Sequence, residues 1–235
     1  MIGIIAAMES EARDLKASMT DPFKIHHGNM TFIKGKLNKK DVVVVKSGVG
    51  KVNAAMCTQI LIDLFKAKAI INVGVAGAVS PELSVGDIVI STDSVQYDMD
   101  ARAFGHPRGE IPNMDTTFFK ADAELVKLAA EEAQKLNLTF LKGRVMTADL
   151  GVDSVELKEE LLKEFDGLCV EMEGAAVGQV AMLNRVPYVI IRSMSDQADG
   201  NLAEDYQNNL EESIAKGVEL VKGLVDKIVM IHGVE

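Results

Sequence analysis

The chain has 235 residues, a length that fits one large or two small domains. Its content of 48% hydrophobic and 26% charged residues is that of a globular protein with its own core. The 35 acidic and 25 basic residues give a net charge of −10, which argues against nucleic acid or an anionic membrane surface as a partner. A small polar ligand in a pocket remains compatible with this charge.

Cysteine and histidine spacing argues against metal and disulfide sites. Cys57 and Cys169 lie far apart, with no CxxC motif, and the four histidines lack a ligand spacing such as HExxH. Two free thiols favour a reducing, cytoplasmic environment. The apolar segment at residues 2–7 is short and has no basic region before it, and no apolar run approaches the ~18 residues of a membrane helix. We therefore expect a cytoplasmic protein.

Short apolar runs alternate with stretches of helical periodicity. In chain order, the pattern predicts a strand over 2–7, a helix over 9–19, a hairpin of strands over 30–36 and 41–46, a helix over 51–66, strands over 69–75 and 87–95, a helix over 122–136, a strand over 139–148, a helix over 154–165, a strand over 168–170, a helix over 173–183, a strand over 186–191 and a helix over about 206–229. The long irregular stretch 96–119 favours a functional loop. This order predicts one domain over residues 1–235, an α/β fold in which a three-layer sandwich surrounds a central mixed, mostly parallel sheet.

Ligands of such sheets bind at the carboxyl ends of the strands, so the segments that follow the predicted strands are candidate site residues. The segment Ser47-Gly48-Val49-Gly50-Lys51 resembles a phosphate-binding loop, but Val45 and Val52 stand where that motif requires Gly and Ser or Thr. A tight strand-to-helix turn explains it somewhat better. The small residues of Gly74-Val75-Ala76-Gly77 allow either close packing of a helix or the approach of a flat ligand, and the two interpretations are equally favoured.

Carboxylates follow two further strands. Glu171 and Glu173 open a predicted helix, where a structural cap is one interpretation; in extended backbone they would point the same way, which suits a pair of ribose hydroxyls. Asp196 follows a buried strand and is either the cap of a turn or a catalytic acid, and its local sequence favours the cap.

Seven segments, taken together and in order, resemble the nucleoside phosphorylase/hydrolase superfamily, and within it the bacterial 5′-methylthioadenosine/S-adenosylhomocysteine nucleosidases. Each segment is weak alone, but the set extends from Met1 to about Lys227. The segments are residues 2–11, 46–52, 71–77, 85–89, 98–105, 170–175 and 192–199. The resemblance implies a nucleoside phosphorylase-like fold, a nucleoside substrate, a homodimer, no metal, no organic cofactor and a part in methionine salvage.

The resemblance also implies residue roles. Glu11 matches the family's water-activating carboxylate, Asp196, supported by Ser195, matches the acid that protonates purine N7, and Glu173 matches the residue that holds the ribose hydroxyls. The other implied substrate contacts are Met8, Val49, Phe104 and Tyr206 around the sugar and its 5′ substituent, Met172 under the sugar, Val75, Glu171, and the backbone of Val152 at the adenine edge. His106 and Pro112 are expected to reach a neighbouring subunit's pocket.

Two positions depart from the family pattern. Val75 stands where many members carry Ser, and Gly151 stands where members usually carry a Phe that stacks on the base. The second departure leaves the base open to question.

The implied reaction is hydrolysis of an N-glycosidic bond through an oxocarbenium-like transition state, with Glu11 ionised and Asp196 protonated at neutral pH. Two alternatives remain. A phosphorolytic nucleoside phosphorylase would need a cationic phosphate pocket, but only Arg102, Arg108 and Arg192 lie near the strand exits. A non-catalytic nucleoside-binding protein is the other, since fold does not determine function. The preferred 5′ group, from methylthio to a futalosine-like arm, also stays open.

Overall fold

The computed structural model describes residues 1–198 and 202–229; within these, the side chains of residues 202–207 are not described. Ten strands and six α-helices lie in the described part of the chain. They are β1 (Ile2–Ala6), α1 (Glu9–Ala17), β2 (Thr20–His27), β3 (Met30–Leu37), β4 (Lys40–Lys46), α2 (Lys51–Asp63), β5 (Ala69–Ala78), β6 (Ile88–Gln96), β7 (Phe119–Lys120), α3 (Ala123–Lys135), β8 (Phe140–Thr147), α4 (Val155–Phe165), β9 (Gly167–Glu171), α5 (Gly174–Leu183), β10 (Tyr188–Asp196) and α6 (Leu202–Lys227).

All ten strands belong to one mixed sheet. Its order is β10-β6-β8-β9-β5-β1-β4-β3-β2, with β7 paired to β6. Strand β10 also pairs in parallel with β5, so β5, β10, β6, β8 and β9 close into a ring, from which β1, β4, β3 and β2 extend as an open sheet. The pairs β1–β4, β1–β5, β5–β10, β6–β8 and β8–β9 are parallel, while the outer hairpins and two ring contacts are antiparallel. The expected α/β fold with a mixed sheet is confirmed.

Helices cover both faces of the sheet, which makes the three layers. Successive residues of the β4 run alternate between two cores: Val42 and Val44 pack with α1, α3 and α6, whereas Val43 and Val45 pack with α2 and α5. All four valines are fully buried, as expected for a β-branched strand covered on both sides. A third, smaller core packs α4 against the ring, through Leu161 and Phe165 among others.

Several elements differ from the sequence prediction, among them the short strand β7, which lies at the end of the expected irregular stretch 96–119 and was not predicted. Strand β2 was not predicted; its residues are nearly all exposed at the sheet edge, so no apolar alternation marks it. Strands β5 and β10 run three and five residues beyond their predicted ends at 75 and 191, because they continue to pair with each other through Gly77 and Asp196.

Within residues 1–198 and 202–229, no helix combines the length and apolar composition needed to cross a bilayer.

Candidate active site

A cavity of about 360 Å³ opens where several strands end. This volume lies within the usual range of small-ligand pockets. Its lining comes from the exits of β1, β4, β5, β8, β9 and β10, which the topology brings to one edge of the sheet. The described lining residues are Ala7, Met8, Glu11, Val49, Val75, Ala76, Gly77, Leu150, Gly151, Val152, Val170, Glu171, Met172, Glu173, Ser195 and Asp196.

Glu11 enters the cavity from the first turn of α1. Its Oε2 accepts a hydrogen bond from the Met8 N–H at 2.8 Å, the reach-back of a capping box, and its Oε1 accepts from the Val75 N–H at 3.2 Å. Burial raises the pKa of Glu11 above its usual value, opposed by the Met8 N–H, the charge of Arg192 and the Val75 N–H. Glu11 is only 3% exposed, whereas a helix cap alone needs no such burial.

Glu173 lies at the junction of β9 and α5 and faces the start of α2. The Gly50 N–H donates to its Oε1 at 2.8 Å. Burial raises the pKa of Glu173 to about 7, the negative charge of Glu171 adds to the rise, and Arg192 and the Gly50 N–H oppose it. A carboxyl group with this pKa changes charge close to neutral pH.

The carboxylate of Glu171 accepts hydrogen bonds from several groups of the protein. It accepts from the Thr147 hydroxyl, from the N–H groups of Glu173 and Gly174, and from Arg192 Nη2 at 2.5 Å. Glu171 lines the cavity while its carboxylate is bound by these protein donors, and its part in substrate binding stays a prediction. The chain turns from strand β9 into α5 at Glu173, so the two carboxylates do not follow the regular alternation of an extended strand.

Arg192 is a fully buried cation behind the acids, which sequence reasoning noted only as one of three nearby arginines. Its Nη2 also donates to Asn72 Oδ1 at 2.5 Å, and its Nη1 donates to the Asn72 and Ile191 carbonyls. A single arginine at a strand interior, among apolar residues, was the available signal. Arg192 offsets the charge of Glu11, Glu171 and Glu173, all of which are buried.

Asp196 closes the opposite wall at the end of β10. Ser195 Oγ donates to its Oδ2 at 2.9 Å, and the Ala198 N–H donates to its Oδ1 at 3.0 Å. Asp196 is 2% exposed and lies directly over Gly77, where an added Cβ would come within 2.7 Å of Oδ1. The side chain thus caps the turn that follows β10 and also lines the cavity, and its role as a catalytic acid stays a prediction.

The segment after β8 forms a wall without an aromatic ring. Leu150, Gly151 and Val152 line the cavity, and none of its described lining residues is Phe, Tyr or Trp. This segment is fixed through Asp149, whose Oδ1 accepts from the Lys51 N–H at 2.8 Å, while Lys51 Nζ binds Asp98 at 2.6 Å. These contacts between three strand exits were not predicted, because Lys51 is 98 positions from Asp149 and 47 positions from Asp98 in the chain.

Four predicted residues lie outside the described cavity lining. Phe104 is 84% exposed, His106 binds Glu110 through Nδ1 at 2.7 Å, and Pro112 lies in the same loop. Tyr206 lies on α6, but its side chain is outside the described residues. Among the described residues, no three His, Cys, Asp or Glu side chains are arranged to hold a metal ion.

Comparison with known proteins agrees with this geometry. The family model described as "Phosphorylase superfamily" matches residues 1–229. A curated relative, the 5′-methylthioadenosine/S-adenosylhomocysteine nucleosidase of Staphylococcus haemolyticus, is 40% identical over 96% of this chain and 99% of its own. This chain belongs to the 5′-methylthioadenosine/S-adenosylhomocysteine nucleosidase family of the phosphorylase superfamily.

Two solved structures place this nucleosidase chain among related folds. The Neisseria meningitidis 5′-methylthioadenosine/S-adenosylhomocysteine nucleosidase in complex with methylthio-immucillin-A superposes with a TM-score of 0.94 and is 33% identical, covering 97% of this chain and 99% of its own. A futalosine hydrolase from Helicobacter pylori superposes with a TM-score of 0.93 and is 34% identical, covering 97% of each chain. The same fold is therefore shared by solved relatives that are named for different substrates.

Proposed function

We propose that this enzyme hydrolyses the N-glycosidic bond of a 5′-substituted adenine nucleoside, such as 5′-methylthioadenosine or S-adenosylhomocysteine, to adenine and the free sugar. The observation that carries the proposal is that three buried acidic residues, Glu11, Glu173 and Asp196, line one cavity. The curated relative named for the same two nucleosides supports the substrate class.

Each acid has one part in the proposed reaction. Glu11 as a carboxylate takes a proton from a water molecule, whose oxygen bonds to the sugar's C1′ as the bond from C1′ to the base breaks. Asp196 gives its carboxyl proton to purine N7, so the base leaves uncharged. Glu173 accepts hydrogen bonds from the ribose hydroxyls and places negative charge beside the oxocarbenium-like transition state. No step of this scheme requires a metal or an organic cofactor.

The remaining contacts of the proposal divide between sugar and base. Met8, Val49 and Met172 would pack against the sugar and its 5′ substituent, with Val75 beneath, while Ser195 supports the acid. The buried backbone of Val152 would read the adenine edge. Leu150, on the same wall, supplies an aliphatic surface for the base in the place of an aromatic ring; these contacts are supported by their common position on the cavity.

The electrostatics favour hydrolysis over phosphorolysis. None of the described residues that line the cavity is Lys, Arg or His, and the nearest buried cation, Arg192, is bound to Glu171. The N–H groups of Gly50 and Lys51 at the start of α2, which elsewhere would attract an anion, are occupied by Glu173 and Asp149. A phosphate dianion would therefore enter a site that already holds several carboxylates.

We also propose a homodimer, in which His106 and Pro112 complete a neighbour's pocket. The loop that carries them presents Phe104 with 84% of its surface exposed, which suits a site completed by contact with a second chain. The buried, unpaired thiols Cys57 and Cys169 agree with a cytoplasmic location.

A substrate panel tests the proposed base and 5′ group. Initial rates of base release are compared for adenine, hypoxanthine and pyrimidine nucleosides, and for adenine nucleosides with hydroxyl, methylthio, homocysteinyl and futalosine-like 5′ groups. We expect the highest kcat/KM for adenine nucleosides with a thioether at C5′. A preference for hypoxanthine or pyrimidine nucleosides would overturn the adenine assignment and would make Gly151 the mark of a changed base specificity.

A further inference from the structure

A lysine of α4 contacts the segment that follows Asp196. Lys158 Nζ donates a hydrogen bond to the backbone carbonyl of Gln197 at 2.5 Å, across 39 positions of the chain. The side chain of Lys158 is partly buried, unlike that of Lys163 on the same helix, which is exposed. A lysine that is held between a helix and a strand exit restricts the peptide group that it contacts.

That peptide group also holds Asp196. The carbonyl of Gln197 and the N–H of Ala198 belong to one planar peptide unit, and this N–H donates to Asp196 Oδ1 at 3.0 Å. An ammonium group on the carbonyl side polarises the unit, so its N–H becomes a stronger donor. Lys158, the peptide and Asp196 therefore form a continuous chain of two hydrogen bonds.

The peptide needs such a contact because its conformation is unfavourable. Ala198 has a φ of +50°, in the left-handed region that residues with a Cβ adopt at a cost, and it is 1% exposed. Gly77 lies close beneath, where an added Cβ would be 3.2 Å from the Ala198 Cβ. A strained turn persists only where its surroundings fix it, and Lys158 supplies a charged contact from outside the strand.

We propose that Lys158 is a positioning residue for Asp196, an inference that rests on the proposed hydrolysis. When Asp196 gives its proton to purine N7 and the bond to C1′ breaks, the carboxylate left behind accepts the Ala198 N–H and the Ser195 hydroxyl. Lys158 aligns and polarises the first of these donors, which stabilises that carboxylate as it forms. The benefit arises in the transition state and belongs to kcat rather than to substrate binding.

The test compares variants of the full-length protein. Lys158→Met removes the donor and keeps the apolar stem, Lys158→Arg keeps a donor, and Lys163→Met is the matched control on the exposed face of α4. We expect Lys158→Met to lower kcat about 10-fold with KM within twofold, Lys158→Arg to recover most of the loss, and Lys163→Met to change neither. Lys158→Ala carries the same expectation should Lys158→Met fail to fold, and thermal unfolding identifies such a failure.

Two readouts separate this inference from a structural role and from the proposed function. In an Asp196→Asn background, Lys158→Met should cause no further loss of kcat, because the group through which it acts is gone. Amide hydrogen exchange at Ala198, followed by NMR, should quicken at least 10-fold in Lys158→Met and not in Lys163→Met. Unchanged kcat, or an equal loss in the Asp196→Asn background, would refute the positioning role. Should the wild type release no adenine, the proposed function fails, and unchanged exchange at Ala198 would then refute the contact independently.

Discussion

The surroundings of each buried carboxyl group determine its chemistry in this cavity. The carboxylate of Glu171 accepts hydrogen bonds from backbone N–H groups and from the buried Arg192, and these bonds fix its position at the cavity. Glu11 and Glu173 receive fewer hydrogen bonds, and burial raises the pKa of both. Asp196 is held by a hydroxyl and a backbone N–H. From sequence alone these carboxylates were candidates of one type, because their partners come from elements distant in the chain.

Asp196→Asn should abolish most turnover without unfolding the protein. The amide can accept the same Ala198 N–H but has no carboxyl proton for N7, so we expect kcat to fall by about 10²–10⁴, the usual contribution of a positioned acid. Substrate binding, measured by calorimetry, should change less. Asp63→Asn at the exposed end of α2 is the control. Turnover near that of the wild type would remove Asp196 from the mechanism.

The acid side of the pH profile should report Glu11 and Glu173. A general base acts as the carboxylate, and burial raises the pKa of Glu11, so kcat/KM should fall as pH is lowered through that raised pKa. Glu173, whose pKa is raised to about 7, loses its charge in the same direction. We expect kcat/KM to decline as pH is lowered through about 7. Glu11→Gln should lower kcat/KM at neutral pH by about 10²-fold or more; a profile that rises towards acid pH would contradict this assignment.

At the scale of elements, strand β5 lies against both acids of the proposed mechanism, Glu11 and Asp196. Gly74 lies against Glu11, where an added Cβ would be 2.8 Å from Oε1, and Gly77 lies against Asp196. Sequence analysis predicted the start of this strand from its apolar residues but ended it at 75, because small residues have little strand propensity. Pairing of β5 with β10 extends both strands as far as Gly77 and Asp196. This pairing joins residues that are distant in the chain, so local sequence does not predict it.

Adding a methyl group beneath each acid should separate activity from stability. The added Cβ of Gly74→Ala would clash with the side chain of Glu11, and that of Gly77→Ala with the side chain of Asp196. We expect each variant to lower kcat at least 10-fold, because the carboxyl group is displaced. Gly3→Ala on β1 is the matched control, since its Cβ would meet Ile70 Cδ1 at a similar 2.8 Å, away from the cavity. All three should lose about 1–3 kcal/mol of stability in denaturant unfolding. Equal kcat in the three variants would show that these glycines serve packing alone.

For the whole molecule, the strand–helix order was sufficient to predict the α/β class and the three layers. The ring formed by β5, β10, β6, β8 and β9 was not predicted, because sheet closure depends on which distant strands pair. The edge strand β2 was also not predicted, because nearly all of its residues are exposed and it has no apolar face. Segments that follow predicted strands, by contrast, converge on one cavity as the rule for parallel strands requires.

Assembly is a second property of the whole molecule. We expect light scattering to give twice the chain mass of 25.4 kDa. Phe104→Ser, which removes an exposed apolar side chain, should weaken the dimer and raise KM for nucleosides with long 5′ groups more than for adenosine. Lys24→Ser on the exposed strand β2 is the control. A monomer with full activity at all protein concentrations would contradict a pocket shared between chains.

Product analysis in the presence and absence of phosphate tests the central claim most directly. 5′-Methylthioadenosine is incubated with the purified protein in phosphate-free buffer and in buffer with excess inorganic phosphate, and the sugar products are resolved by mass spectrometry. Water as the nucleophile predicts equal rates of adenine release and the free 5-methylthio sugar in both buffers. A rate that depends on phosphate, with the sugar 1-phosphate as the main product, would contradict hydrolysis and assign the cavity to phosphorolysis.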